Sequence, residues 1–260
     1  MTPVNWATSG GVKIERAKEH IVNLNAEITT FFEGNAYTIV REYDSQTGEL
    51  VVRARIPMEP PLRWGAVAGD AVHNLRSTLD LLWRQANHPS AHWMTTSENF
   101  PIYSCADKLD AELARAVKSR RKTAMNILKK IESYEGGNKL LCLLNSVDQI
   151  DKHRLLIPAY NSTDLTRIMP DLSVEPLPGQ FFPPREIQRM TPLCPIHDGT
   201  ELLRVPANLG EMNVQFQFQF SIAFGEVGIV HGKDIVATLG QLADVVEGIA
   251  ETFRIAGLIR

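Results

Sequence analysis

The sequence is short of cysteine, of charge of one sign and of long apolar runs, and each shortage removes a class of protein. Its three cysteines, Cys105, Cys142 and Cys194, are widely spaced and odd in number. No dense disulfide framework is expected, which favours a reducing compartment, the cytoplasm. No stretch approaches the ~20 apolar residues of a membrane helix, and the first twenty residues lack the apolar core of a secretory signal, so no membrane partner is expected. A net charge of −3 over 260 residues predicts no wholesale attraction to polyanions, so any nucleic-acid contact must come from a local patch. A Walker loop, a dinucleotide fingerprint, a GxSxG elbow, an HExxH pair and a CxxC motif are all missing. The common nucleotide and hydrolase routes therefore have no motif support, and no cofactor or metal is called for.

What is there reads as folded protein, since 44% hydrophobic and 22% charged residues lie far from the composition of disorder. Ile14, Ala17, Ile21, Leu24, Ile28 and Phe31 recur at helical spacing and predict a first helix over about 12–32, stopped by Gly34 and Asn35. Two β-rich runs, YTIVREYD and ELVVRARIP, are joined by SQTG, where Gly48 supplies the turn of a hairpin. Prolines 57, 60 and 61 then introduce a central helix over about 62–87, ended before Pro89. Three more helices are expected over 106–117, 121–134 and 138–153, and a last one over 233–255. Residues 158–210 are proline-rich without helical period and read as turns and short strands. VQFQFQFSIAF is a strand by strict alternation, with Phe216, Phe218 and Phe220 expected buried and Gln215, Gln217 and Gln219 facing outward.

These elements predict an α+β fold, with a helical core, an N-terminal β-hairpin, a β-rich C-terminal half and a C-terminal helix. At 260 residues one domain suffices. Two packed subdomains are also allowed, 12–157 mainly helical with the hairpin inserted, and 158–260 β-rich with the last helix. The hairpin and the Phe-rich strand are candidates for a single antiparallel sheet.

The concentrated chemistry lies on the central helix. At about 100° per residue, Trp64, Ala68, Ala71, Val72, Leu75, Leu79, Leu82 and Ala86 form one apolar stripe. Asp70, His73, Ser77, Asp80 and Arg84 fall on the other side. Such a face is either solvated or lines a cleft in which a histidine, the side chain that titrates near neutrality, works beside carboxylates and guanidinium groups. Gly65 and Gly69, four apart, would let another part of the chain approach closely. The helix ending in LLNSVDQIDKHRLLIP buries Leu140, Leu143, Leu144, Val147 and Ile150, with Asp151 and Arg154 projecting toward that side. They are expected to pair with each other, or with Arg76 and Asp80 on the central helix.

At these residues the chain resembles a broad family of uncharacterised bacterial proteins. Its members carry a GDxxHNLRSxLD helix, a short FPI segment, a helix ending in DKHR and a DGTEL-like turn. Here these are Gly69 to Asp80, Phe100 to Ile102, Asp151 to Arg154, and Asp198 to Leu202. The resemblance implies an arrangement and no particular activity. A fainter resemblance is to the HEPN superfamily of helical bundles, which includes metal-independent ribonucleases with four to six residues between an arginine and a later histidine. Arg84 and His88 have three residues between them, and His73 precedes Arg76, so only the bundle is carried over.

Two functions follow from the residues. The first is a metal-independent phosphodiesterase or ribonuclease-like enzyme with His73 and His153 as acid and base and Asp80 as an orienting group. Arg76, Lys152, Arg154 and Asn74 would bind the substrate. The second is a non-catalytic binding or assembly module in which the same side chains form a structural network. Lys118, Arg120, Arg121 and Lys122 make a basic run that could meet the phosphates of a nucleic acid or form a solvated helix face. Cys194 and His197 have the spacing of half a zinc knuckle, with no second pair following, and a surface turn is expected there. His88 and His92 flank Pro89 in a loop. A homo-oligomer is left open.

Overall fold

In the computed structural model, residues 9–88, 98–116, 119–170, 193–206, 214–225, 228 and 230–259 are described. Among them the fold is α+β, with helices α1 (Ser9–Glu33), α2 (Arg63–Asn87), α3 (Ala106–Arg115), α4 (Ser119–Lys130), α5 (Lys139–His153) and α6 (Ile235–Ile255). The strands are β1 (Thr38–Asp44), β2 (Glu49–Arg55), β3 (Pro158–Pro170), β4 (Leu193–Ile196), β5 (Glu201–Pro206) and β6 (Val214–Phe224). No described helix is long and apolar enough to cross a membrane.

The chain divides into two compact units, each built from separated segments. The first comprises residues 1–26, 63–156 and 235–260, and the second 27–62 and 157–234. One boundary falls between Leu156 and Ile157, but the hairpin and the last helix lie across it from their neighbours in sequence. The hairpin goes with the β-rich segment, because β2 finds its second partner in β5, and the last helix goes with the helical bundle, because its apolar stripe is covered by α2.

In the first unit α2 is the central element, packed against α4, α5 and α6. Its whole apolar stripe is buried, and Trp83, at the edge of that stripe, is buried too. Trp83 meets Phe100 edge-on at 6.0 Å between ring centroids, and Phe100 lies 6.3 Å from Phe253 of α6. The two glycines of α2 are contact points. A Cβ on Gly65 would stand 1.7 Å from the carbonyl oxygen of Leu156, and one on Gly69 would stand 2.1 Å from Asp151 Oδ1. Only glycine allows these approaches, which outweigh its unfavourable helix propensity. α5 opens on Asn138, whose side chain accepts from Leu141 N at 3.0 Å, satisfying one of the donors a helix start leaves free.

The second unit holds two three-stranded antiparallel sheets, in the orders β1-β2-β5 and β4-β3-β6. The hairpin and the Phe-rich strand are therefore in different sheets: β5 completes the hairpin sheet, and β6 pairs with β3. The hairpin turn has Gly48 at φ 71°, with Asp44 Oδ1 accepting from Gln46 N and Thr47 N. Phe218, Phe220, Ile222 and Phe224 are buried as the alternation requires; the side chains of Phe216, Gln215, Gln217 and Gln219 lie outside the described residues. β3 is a long strand where turns and short strands were expected, and its prolines sit at its two ends, where they interrupt no ladder. Tyr160 of β3 is buried with its hydroxyl 3.0 Å from Ala36 O and 2.9 Å from Met58 O, and burial pushes its pKa far up.

Candidate functional site

The polar face of α2 is two sites of opposite character. Toward its C-terminal half, Arg76 is 11% exposed and Asp80 21%, and they form an i,i+4 ion pair. Arg76 Nη2 donates to Phe100 O at 3.1 Å, and Asp80 Oδ1 accepts from Phe100 N at 2.8 Å. Together the pair brackets both backbone groups of one residue, as a neighbouring strand would. Arg76 Nε also donates to Asn145 Oδ1 of α5 at 3.3 Å. The rest of the segment is tied to the chain after α4, with Ser133 Oγ donating to Pro101 O at 2.7 Å and Tyr103 N to Ser133 O at 2.9 Å. Arg76 and Asp80 thus hold the FPI segment onto the bundle, and their hydrogen-bonding capacity is largely taken up in doing so.

One turn toward the N-terminus the face is open. His73 is 58% exposed, its Nδ1 is 3.6 Å from Asp148 Oδ1 of α5, and its Nε2 is 3.3 Å from Ser77 Oγ. Asp148 is 2% exposed in its side chain. The Lys152 ammonium stands 2.6 Å from Asp148 Oδ2, an ion pair approached off the hydrogen-bonding direction. Asn74 Nδ2 donates to Asp70 O of its own helix at 2.8 Å, and Lys13 of α1 reaches Asn74 Oδ1 at 3.4 Å. Asp151 is half-buried against Gly69. Burial first, then the carboxylates of Asp148 and Asp70, push its pKa up, against a smaller lowering by His73.

The packing of α2 on α5 was expected, yet the bonds that join them are different ones. Arg76 reaches Asn145, and His73 reaches Asp148. Neither Arg76 nor Asp80 is bonded to Asp151 or Arg154 among the described residues. Arg154 is exposed and caps α5 with an extended backbone, φ −162° and ψ 152°, so no buried Asp151–Arg154 pair forms. Lys152 is brought to the cluster. His153 is exposed, and among the described residues its side chain has no hydrogen bond or ion pair. The buried acid that sequence reasoning missed is Asp148. Its signal was its spacing, four residues after Leu144 and one after Val147, on the stripe that α5 buries.

The two arginines of the basic run are engaged internally. Arg120 donates to Ala86 O at 3.1 Å and Leu258 O at 2.6 Å, meeting carbonyls in the last turn of α2 and after α6. The Arg121 guanidinium lies 4.4 Å over the Trp83 ring and pairs with Glu98 at 3.1 Å. Lys122 is exposed, and Lys118 lies outside the described residues. Arg84 donates to Glu98 O at 2.8 Å, and His88 Nε2 is 3.6 Å from Glu98 Oε1. A cleft of about 250 Å³ lies beside them, lined by Asn87, His88, Glu98, Glu112, Arg115, Ala116, Arg121 and Met125. His197 is in a surface turn with Gly199 at φ 80°; His92 and the side chain of Cys194 lie outside the described residues. Among the described residues no three His, Cys, Asp or Glu side chains are grouped so as to hold a metal ion. No protein family, curated protein or solved structure matches the chain.

Proposed function

We propose that the protein is a hydrolase whose proton-transfer group is His73, oriented by Asp148. The observation that carries this is the contact of an exposed imidazole, through Nδ1, with a carboxylate from a second helix that is itself 2% exposed. A buried acid 3.6 Å from one ring nitrogen favours a proton on Nδ1 and leaves Nε2 to take and return one. Lys152 balances the buried carboxylate from its other oxygen.

Phosphodiester cleavage by a His73 and His153 pair, with Arg76, Lys152, Arg154 and Asn74 on the phosphate, is the two-histidine form of this proposal. The one-histidine form is better supported, since Arg76 is committed to Asp80, Asn145 and Phe100 and His153 stands apart from the cluster in its contacts. A second, non-catalytic reading is favoured by the bracket on Phe100, which is structural whatever else the protein does.

The test is turnover of RNA, bis(p-nitrophenyl) phosphate and neutral p-nitrophenyl esters, each with and without chelator. His73→Ala should lower the rate by about 10² or more, the usual contribution of a general base, with the melting temperature little changed. His153→Ala should leave it alone; an equal loss there would restore the two-histidine form. Turnover of none of the three substrates, with His73→Ala altering only thermal stability, would leave the structural network as the function of these residues.

A further inference from the structure

We propose that Ser77 is a nucleophile, activated by His73 and Asp148, and that the substrate is a carboxylic ester that is neutral or cationic near the scissile bond. The proposal rests on the hydrolase reading above and adds the attacking atom and the substrate class. A helix brings residues i and i+4 together as a matter of course, so the His73–Ser77 contact alone carries nothing. What sets this pair apart is the third member. Asp148 comes from α5, is buried, and stands on the opposite ring nitrogen. The order is therefore hydroxyl, Nε2, Nδ1, carboxylate, at 3.3 and 3.6 Å. This is the sequence of groups that nucleophilic acyl transfer needs, and free enzymes hold it more loosely than their substrate complexes do.

The electrostatics choose the substrate. Asp70, Asp148 and His73 all act electrostatically on Asp151, and His73 meets Asp148 directly, against the ammonium groups of Lys152 at Asp148 and Lys13 at Asn74. An anionic phosphodiester would meet carboxylates here, with the Arg76 guanidinium turned to Phe100 and Asp80. An uncharged ester meets no such repulsion, and a cationic group beside it gains. Ser77 lies within α2, where its N–H belongs to the helix ladder, so the carbonyl oxygen must be met by side-chain donors. Lys13, held at Asn74 three residues before Ser77, is the cation assigned to it in this proposal.

The step balances without a further reagent than water. The Ser77 hydroxyl proton passes to His73 Nε2 as Oγ bonds to the acyl carbon. The ester C–O bond then breaks, and that proton leaves with the alcohol. Water attacks the acyl-serine, gives a proton to His73, and releases the acid as Oγ is reprotonated.

The experiment uses the full chain with an alkyl fluorophosphonate probe, mapped by mass spectrometry, alongside p-nitrophenyl butyrate hydrolysis. Labelling is expected on Ser77 and is expected to vanish in Ser77→Ala, a change that favours the helix. It should fall at least a hundredfold in His73→Gln. Asp148 is a positioning residue. Asp148→Asn should lower kcat with KM unchanged, and Asp148→Glu should restore part of it, a pattern that loss of packing alone would not give. If Ser77→Ala hydrolyses ester at the wild-type rate while His73→Gln does not, His73 activates water: the nucleophile is overturned and the hydrolase reading stands. If neither variant changes hydrolysis, or the probe marks no residue or another residue, the assignment of Ser77 falls, and in the first case the hydrolase reading falls with it.

Discussion

Two pairs of polar residues lie one turn apart on the same helix, and they have been treated in opposite ways by the chain around them. Arg76 and Asp80 are bonded to each other and to the backbone of Phe100. His73 and Ser77 have a buried acid behind them and solvent in front. Identical helical geometry thus yields a clamp in one case and a reactive-looking surface in the other. The difference is supplied entirely by what each pair faces. Residue type alone does not separate a structural charge from a working one; the count of partners that saturate it does.

The comparison is broken most directly at Asp80. Asp80→Ala leaves the Arg76 guanidinium without its acid and Phe100 N without its acceptor, so it should destabilise by about 3–5 kcal/mol, read from urea unfolding. His73→Ala, one turn away, should stay within about 0.5 kcal/mol, as exposed positions do. Equal effects at the two sites would erase the distinction.

The glycines extend the test. Gly65→Ala meets the backbone carbonyl of Leu156, which has little freedom to retreat, and should cost about 3 kcal/mol. Gly69→Ala meets the end of the Asp151 side chain, which can swing away, and should cost about 1 kcal/mol. The same denaturation experiment reads both, and a larger loss at Gly69 would mean that Asp151 is fixed in place.

The smallest effect is expected at Asp151. Its pKa is raised in the folded protein by burial and by Asp148 and Asp70. The folded state therefore holds this proton more tightly than the unfolded chain, and the associated stability is present in acid and lost as pH rises through the raised value. Asp151→Asn should then make the protein slightly more stable at neutral pH, with the gain disappearing below about pH 4. A gain independent of pH, or a loss, would show that the carboxylate is compensated.

Much of the fold was legible because periodicity is local. The central helix, read over about 62–87, spans Arg63–Asn87, and the Phe-rich strand has the limits its alternation gives, Val214–Phe224. Strand pairing beyond the hairpin was not legible, since β2 meets β5 and β3 meets β6 across long intervening stretches, and no local pattern names a partner. β3 was missed because its prolines, at its ends, look like breakers. At the site, the helical wheel separated the faces of α2 correctly but misjudged the end of α5. Arg154 is already extended there, so a wheel no longer describes where it points, and attention went to Asp151 and Arg154 instead of to Asp148.

The first unit is made of three separated pieces of chain, and that has a consequence for how it is born. α2 ends at Asn87, and α6, which covers part of its apolar stripe, begins at Ile235. During synthesis the stripe of Trp64, Leu75 and Leu82 is complete long before its cover exists. A ribosome adding about 5–20 residues per second leaves that surface unshielded for seconds. Residues 157–234 of the second unit must meanwhile be made between the second and third pieces of the first. Such long-range closure is slow and exposes sticky surface. The apolar face of the central helix thus waits on the last element of the chain to be made before it is fully covered.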